Sequence, residues 1–134
     1  MEILYADQEI AVFVKPVGLD SEKDVPAKLT ELLGGEVYPL HRLDQNVGGV
    51  MVCARTRTAA ARLSKEISEN RMIKEYVALV HGTPPEQGDW KNLLFKDSRK
   101  NKVYVVNRMR NGVKEAHLEY RRLRAGQQSL VLVR

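Results

Sequence analysis

The densest concentration of reactive side chains is His41-Arg42-Leu43-Asp44, which sets an imidazole, a guanidinium and a carboxylate within four residues. Gly48-Gly49 and an apolar run, GVMVCA from Gly49 to Ala54, follow directly. Neighbours in an extended segment alternate sides, so Arg42 and Asp44 share one side, with His41 and Leu43 on the other. A cation is thereby set near the carboxylate, and a nearby cation keeps an acid ionised, as a carboxylate nucleophile must be at neutral pH. The same residues also read as an Arg-Asp surface pair closing a turn, and taken alone they leave both readings open. A kinase catalytic loop fits poorly, because Leu43 separates Arg42 from Asp44 and no nucleotide-binding motif accompanies them.

Other chemistries lack their residues. There is no Walker A loop and no Gly-x-Gly-x-x-Gly fingerprint to cradle a nucleotide or dinucleotide, so no cofactor is expected. His41, Cys53, His81 and His117 show none of the close pair spacings of a zinc site, so each reads as an ordinary sheet or turn residue and no metal is expected. No Gly-x-Ser-x-Gly elbow offers a serine nucleophile.

The elements that must position the cluster follow from local pattern. Ile10 to Lys15 (IAVFVK) is β-branched and aromatic and is stopped by Pro16 and Gly18, which predicts a strand running into a turn. Pro26 to Leu33 reads as a short helix with Pro26 in its first turn, an apolar face of Leu29, Leu32 and Leu33, and Gly34 as its stop. Gly49 to Ala54 is of strand length; a helix follows, capped by Thr56 or Thr58, with Ala59, Leu63 and Ile67 as its core stripe. Ile73 to Val80, Val103 to Val106, Ala116 to Leu123 and Leu130 to Val133 read as further strands, with the turn-rich TPPEQG after the first. Strands that outnumber helices and often join without one predict an α+β fold, a mixed, mainly antiparallel sheet with flanking helices.

With 134 residues, 43% of them hydrophobic and 29% charged, the chain has the size and composition of one soluble globular domain spanning 1–134, with no repeat or linker to divide it. The single Cys53 cannot form an internal bridge, no apolar run approaches a bilayer span, and Met1 to Asp7 lacks a secretion-signal layout; together these favour the cytoplasm and no membrane partner. The formal charge is +5, but it is unevenly spread. Lys91 to Arg134 holds 12 basic and 3 acidic residues, a net +9, whereas Met1 to Trp90 holds 10 basic and 14 acidic, a net −4. A basic C-terminal third suits a surface that follows a nucleic-acid phosphate backbone, with Lys96, Arg99 and Lys100 as its candidate contacts, although such a run also occurs as a plain solvated face.

Four blocks, in order, resemble the RluA-like pseudouridine synthases. ILYADQEIAVFVKPVGL (Ile3 to Leu19) is similar to that family's N-terminal strand pair ending in Lys-Pro-x-Gly-Leu, and YPLHRLDQNVGGVMVCARTRTAAARL (Tyr38 to Leu63) resembles its His-Arg-Leu-Asp signature block. Lys74 to Val80 with His81-Gly82 is similar to its Lys-x-Tyr strand, and Lys114 to Leu123 to its Lys-x-Ala strand. The resemblance implies a cofactor-free isomerisation of uridine in ribosomal or transfer RNA, with Asp44 as nucleophile, Arg42 helping to hold the flipped-out nucleotide, and Tyr76 against the target base. Lys74 reads as a solvated strand residue. Two departures stand out: Gln45-Asn46-Val47-Gly48 replaces a stretch that bears two hydroxyls in the family, and the chain stops in SLVLVR, before the family's strand carrying another basic residue. The expectation is therefore a C-terminally incomplete catalytic domain without an N-terminal RNA-binding module, inactive alone and open to association through an unpaired sheet edge. The alternative is a noncatalytic RNA-binding domain that keeps the synthase fold.

Overall fold

Burial alternates along Ile10–Lys15, with Ala11, Phe13 and Lys15 fully enclosed, the period-2 pattern of a strand between a core and a second layer. In the computed structural model, which describes residues 1–134, the chain forms two compact units, Met1–Met72 and Ile73–Arg134. The first holds β1 (Glu2–Ala6), β2 (Ile10–Lys15), α1 (Asp24–Leu33), β3 (Tyr38–Pro39), β4 (Gly49–Ala54) and α2 (Arg57–Ser68). Its four strands lie in the order β1-β2-β4-β3 and pair antiparallel throughout.

The core of this unit is Phe13, Val25, Leu29, Leu43, Met51 and Cys53. Helix α1 begins two residues before Pro26, and it buries Val25 and Leu29 rather than the expected Leu32, which is 56% exposed. The buried stripe runs along Val25, Leu29 and the partly buried Leu33, and Leu32, seven residues after Val25, lies at the margin of that stripe, which the core does not cover. Thr56 caps α2, its hydroxyl accepting from the Ala59 N–H at 3.1 Å, and Ala59 is buried as the stripe requires. Neither helix is long and apolar enough to cross a membrane.

The second unit holds only strands: β5 (Tyr76–His81), β6 (Gln87–Asp97), β7 (Lys102–Val106), β8 (Val113–Arg124) and β9 (Gln128–Val133), in the order β5-β9-β8-β6-β7. The α+β class stands. What the sequence presents as one mixed sheet is two, and every strand pair in both is antiparallel. β5 starts at Tyr76 rather than Ile73, β8 extends to Val113 and Arg124, and β9 begins at Gln128. β6 is a strand that the sequence pattern does not disclose. Gly88, Asp89, Lys91 and Asn92 interrupt its apolar residues, and it forms because Gln87 to Phe95 pairs with Val113 to Arg121 on one side while Leu93 to Asp97 pairs with β7 on the other. Gly88 is required there, since a Cβ would lie 2.3 Å from the Tyr120 ring. The expected strand Leu130 to Val133 lies within β9, which is interior to its sheet, with Ser129 and Val131 enclosed.

Phe13 is the largest fully enclosed side chain, and truncating such a residue removes its transfer energy and leaves a cavity. Phe13→Ala is therefore expected to destabilise Met1–Met72 by about 3–5 kcal/mol, read from the urea midpoint of its unfolding.

Candidate active site

The β2–β4 register ends with Lys15 opposite Gly49, so the segment leaving β2 and the segment entering β4 emerge side by side. They are stitched together. The Gly18 N–H donates to the Gln45 carbonyl at 2.7 Å, and the Gln45 Nε2 donates back to the Gly18 carbonyl at 3.0 Å. Gly48 comes so close to the first segment that a Cβ would sit 3.3 Å from the Lys15 carbonyl oxygen and 3.3 Å from a Val17 methyl. The enclosed Lys15 ammonium donates to the carbonyls of Pro16 (3.2 Å) and Leu19 (2.9 Å), bending the chain back over its own side chain. Asp20 then accepts from the N–H groups of Glu22 (2.8 Å) and Lys23 (2.9 Å) ahead of α1. The Lys23 and Glu22 amides hold its carboxyl below the ordinary value.

Along His41 to Asp44 the expected alternation is present. Leu43 is buried and His41 half-buried, whereas Arg42 and Asp44 are exposed. His41 Nε2 accepts from the Val52 N–H at 3.1 Å, which ties the start of the segment to β4 and leaves the ring proton on Nδ1. Leu43 is fastened at both of its backbone polar groups. Its N–H donates to Ser21 Oγ at 3.0 Å, and the same hydroxyl donates to the Leu43 carbonyl at 2.5 Å. The Asp44 carbonyl accepts from the Val47 N–H at 2.9 Å, closing a turn over Gln45 and Asn46. Two outward side chains, one cationic and one anionic, thus stand on a backbone anchored from behind.

One expectation is corrected. Arg42 does not pair with Asp44; its ion pair is with Glu22, at 3.7 Å, and both side chains are about 70% exposed (71% and 69%). The segment before α1 brings Glu22 within reach of the guanidinium, and two side chains on one side of an extended segment need not touch. A pair this exposed holds Arg42 only weakly, so the guanidinium stays available to an incoming anion.

The remaining candidates lie in Ile73–Arg134. Tyr76 opens β5 at the sheet edge and is 40% exposed. Its register partner is Val133, which in turn faces Tyr120, so these three side chains share one face of the sheet with Ala78 and Val131. That face carries an apolar groove of about 310 Å³ whose walls include Ala78, Trp90, Leu118, Tyr120 and Val131, with the Trp90 and Tyr120 ring centroids 5.0 Å apart. Lys96 is the last residue but one of β6, and Arg99 and Lys100 occupy the β6–β7 turn, where their N–H groups donate to Asp97 Oδ1 at 3.0 and 3.2 Å. All three basic side chains are exposed. Lys74 is exposed just ahead of β5.

Sequence pattern misses the anchors, Lys15, Ser21 and Gln45, because each acts through hydrogen bonds to backbone distant in sequence or hidden in a turn; the one local signal is the turn-forming KPVGL itself. It also misses that β6 and β8 gather Asp89, His117 and Glu119, whose side-chain nitrogen and oxygen atoms lie within 4.8 Å of one another. There the His117 Nε2 already contacts Asp89 Oδ1 at 2.6 Å. Cys53 is a poor nucleophile, since burial pushes its thiol up to about 11.

Lys15→Met keeps the stem but leaves the Pro16 and Leu19 carbonyls without their donor; the expected loss is about 1–3 kcal/mol, measured by urea unfolding. The Asp20 contribution runs with pH: it is fully present above the ordinary carboxylate range and is lost as pH falls through the lowered Asp20 value.

Three comparisons bear on this arrangement. The sequence profile of a family described as RNA pseudouridylate synthase matches residues 9–134. The dual-specificity RNA pseudouridine synthase RluA of Escherichia coli is 38% identical over 109 residues, covering 67% of this chain and 48% of that protein. The tRNA pseudouridine synthase C of Haemophilus ducreyi is 32% identical over 98 residues, covering 66% of this chain and 40% of that protein. This chain thus spans less than half the length of these curated relatives. The solved structure of human RNA pseudouridylate synthase domain containing 4 shares the fold with a TM-score of 0.79 at 24% identity, covering 98% of this chain and 57% of that one. A profile match over nearly the whole chain, with His41-Arg42-Leu43-Asp44 inside it, is decisive: the chain belongs to the RNA pseudouridylate synthase family.

Proposed function

We propose that this chain carries the nucleophile of an RNA pseudouridine synthase acting on ribosomal or transfer RNA in the cytoplasm, and that Asp44 is that nucleophile. The observation that supports it is the exposed Asp44 carboxylate on a turn anchored through Leu43 and Gln45. The reaction breaks the bond from uracil N1 to ribose C1′ and forms one from uracil C5 to C1′. The C5 proton leaves and N1 gains one, so the change is an isomerisation and consumes no co-reactant. An ionised carboxylate can attack either the uracil ring or the sugar carbon, holding one fragment while the base turns. Arg42 is the partner for a backbone phosphate or the space left by the extruded nucleotide, and Tyr76 supplies an aromatic surface for the flipped base. Lys96, Arg99 and Lys100 supply phosphate contacts that position the RNA without reading its sequence.

Asp44→Asn is close to isosteric and its side chain is exposed, so fold and RNA affinity are expected to persist while isomerisation stops. Release of tritium from uracil C5 in structured RNA by the full protein measures this; undiminished release removes Asp44 from the mechanism. Charge reversal at Lys96, Arg99 and Lys100 together is expected to weaken binding to many RNAs alike and to flatten its salt dependence, which with several phosphate contacts amounts to ~10³-fold between low and moderate salt. Filter binding across a salt series reads both effects.

A further inference from the structure

We infer that Ser21 is the positioning residue for Asp44, an inference that rests on the isomerase reading above. Ser21 lies 22 positions before Leu43, is 4% exposed, and directs its hydroxyl onto Leu43 alone among backbone groups. The two atoms it engages belong to different peptide groups. The Leu43 N–H sits in the peptide joining Arg42 to Leu43, and the Leu43 carbonyl sits in the peptide joining Leu43 to Asp44. One hydroxyl therefore fixes both peptide planes between the guanidinium and the carboxylate.

A serine or threonine hydroxyl suits this task because it donates and accepts at one atom; alanine does neither. Both Leu43 groups are enclosed, so without the hydroxyl they either lose a partner or rotate to find one. The Leu43 side chain cannot follow such a rotation freely, being packed in the core with its Cδ1 against Gly49. The freedom released passes to the Leu43–Asp44 peptide and swings the carboxylate. Gln45 and Val47 hold the far side of Asp44, so the displacement is confined to the residue that must meet the uridine. Ser21 also lies next to Glu22, the ion-pair partner of Arg42, which sets both outward side chains relative to one anchor.

The test compares Ser21→Ala with Ser21→Thr in the full protein, using single-turnover tritium release, RNA affinity and hydrogen exchange of the Leu43 amide. For Ser21→Ala the turnover rate is expected to fall ~10²-fold, the scale of a small misplacement of a reacting group, with RNA affinity unchanged. The Leu43 amide is expected to exchange at least ~10-fold faster while β2 amides keep their protection, as in a local opening. Ser21→Thr, which retains the hydroxyl, is expected to keep turnover and protection together. Full turnover in Ser21→Ala, an undisturbed Leu43 amide, or a loss carried wholly by RNA affinity overturns the inference. If the unsubstituted protein releases no tritium, the isomerase reading fails instead, and the Leu43 amide in the two variants decides alone whether the hydroxyl sets the loop.

Discussion

Antiparallel pairing of β2 with β4, ending at Lys15 opposite Gly49, is the constraint on which the N-terminal unit depends. It sends two irregular segments out of the same end of the sheet, and irregular backbone is stable beside a core only where its polar groups find partners. Here those partners come from the two segments themselves. The Lys15 ammonium covers two carbonyls, Gly18 and Gln45 exchange hydrogen bonds, and Ser21 serves both polar groups of Leu43. The apolar side chain of Leu43 completes the arrangement by entering the core beside Phe13 and Met51.

This architecture separates anchored from exposed side chains within one tetrapeptide. His41 and Leu43 are held by hydrogen bonds and packing, whereas Arg42 and Asp44 face water, Arg42 pairing with Glu22. The stretch Gln45-Asn46-Val47-Gly48 is well supplied with hydrogen bonds, since Gln45 contributes two through Gly18 and Val47 closes on Asp44. Gly48 adds what a larger residue could not, room for the Lys15–Val17 backbone to pass.

The parts of this molecule legible in the sequence are those governed by short periods. Alternation placed Arg42 and Asp44 together on the outer side, the run IAVFVK marked β2, and Thr56 marked the start of α2. What escaped was long-range or masked. No local pattern links Ser21 to Leu43, and nothing in the residues 41–44 foretells that Arg42 turns to Glu22. β6 escaped because both of its faces are largely open to water, which removes the hydrophobic contrast that a period-2 reading needs, and its pairing with β8 is what makes it a strand. Leu32 was assigned to the core because its spacing from Leu29 fits an apolar stripe, and no local pattern tells how far across that stripe the core extends.

The order of strands in the second unit has a kinetic consequence. β6, β7 and β8 are joined by short turns, and β6 pairs with both of the others, so these three strands can assemble from pairings of modest sequence separation. β5 precedes all three in the chain but pairs with β9, which follows them. Its pairing therefore closes a loop around all three and needs β9, itself paired with β8, to offer it an edge. Closing that long loop is the slow entropic step of the sheet. Tyr76 sits on this strand, so its place in the sheet depends on the pairing between strands most distant in sequence.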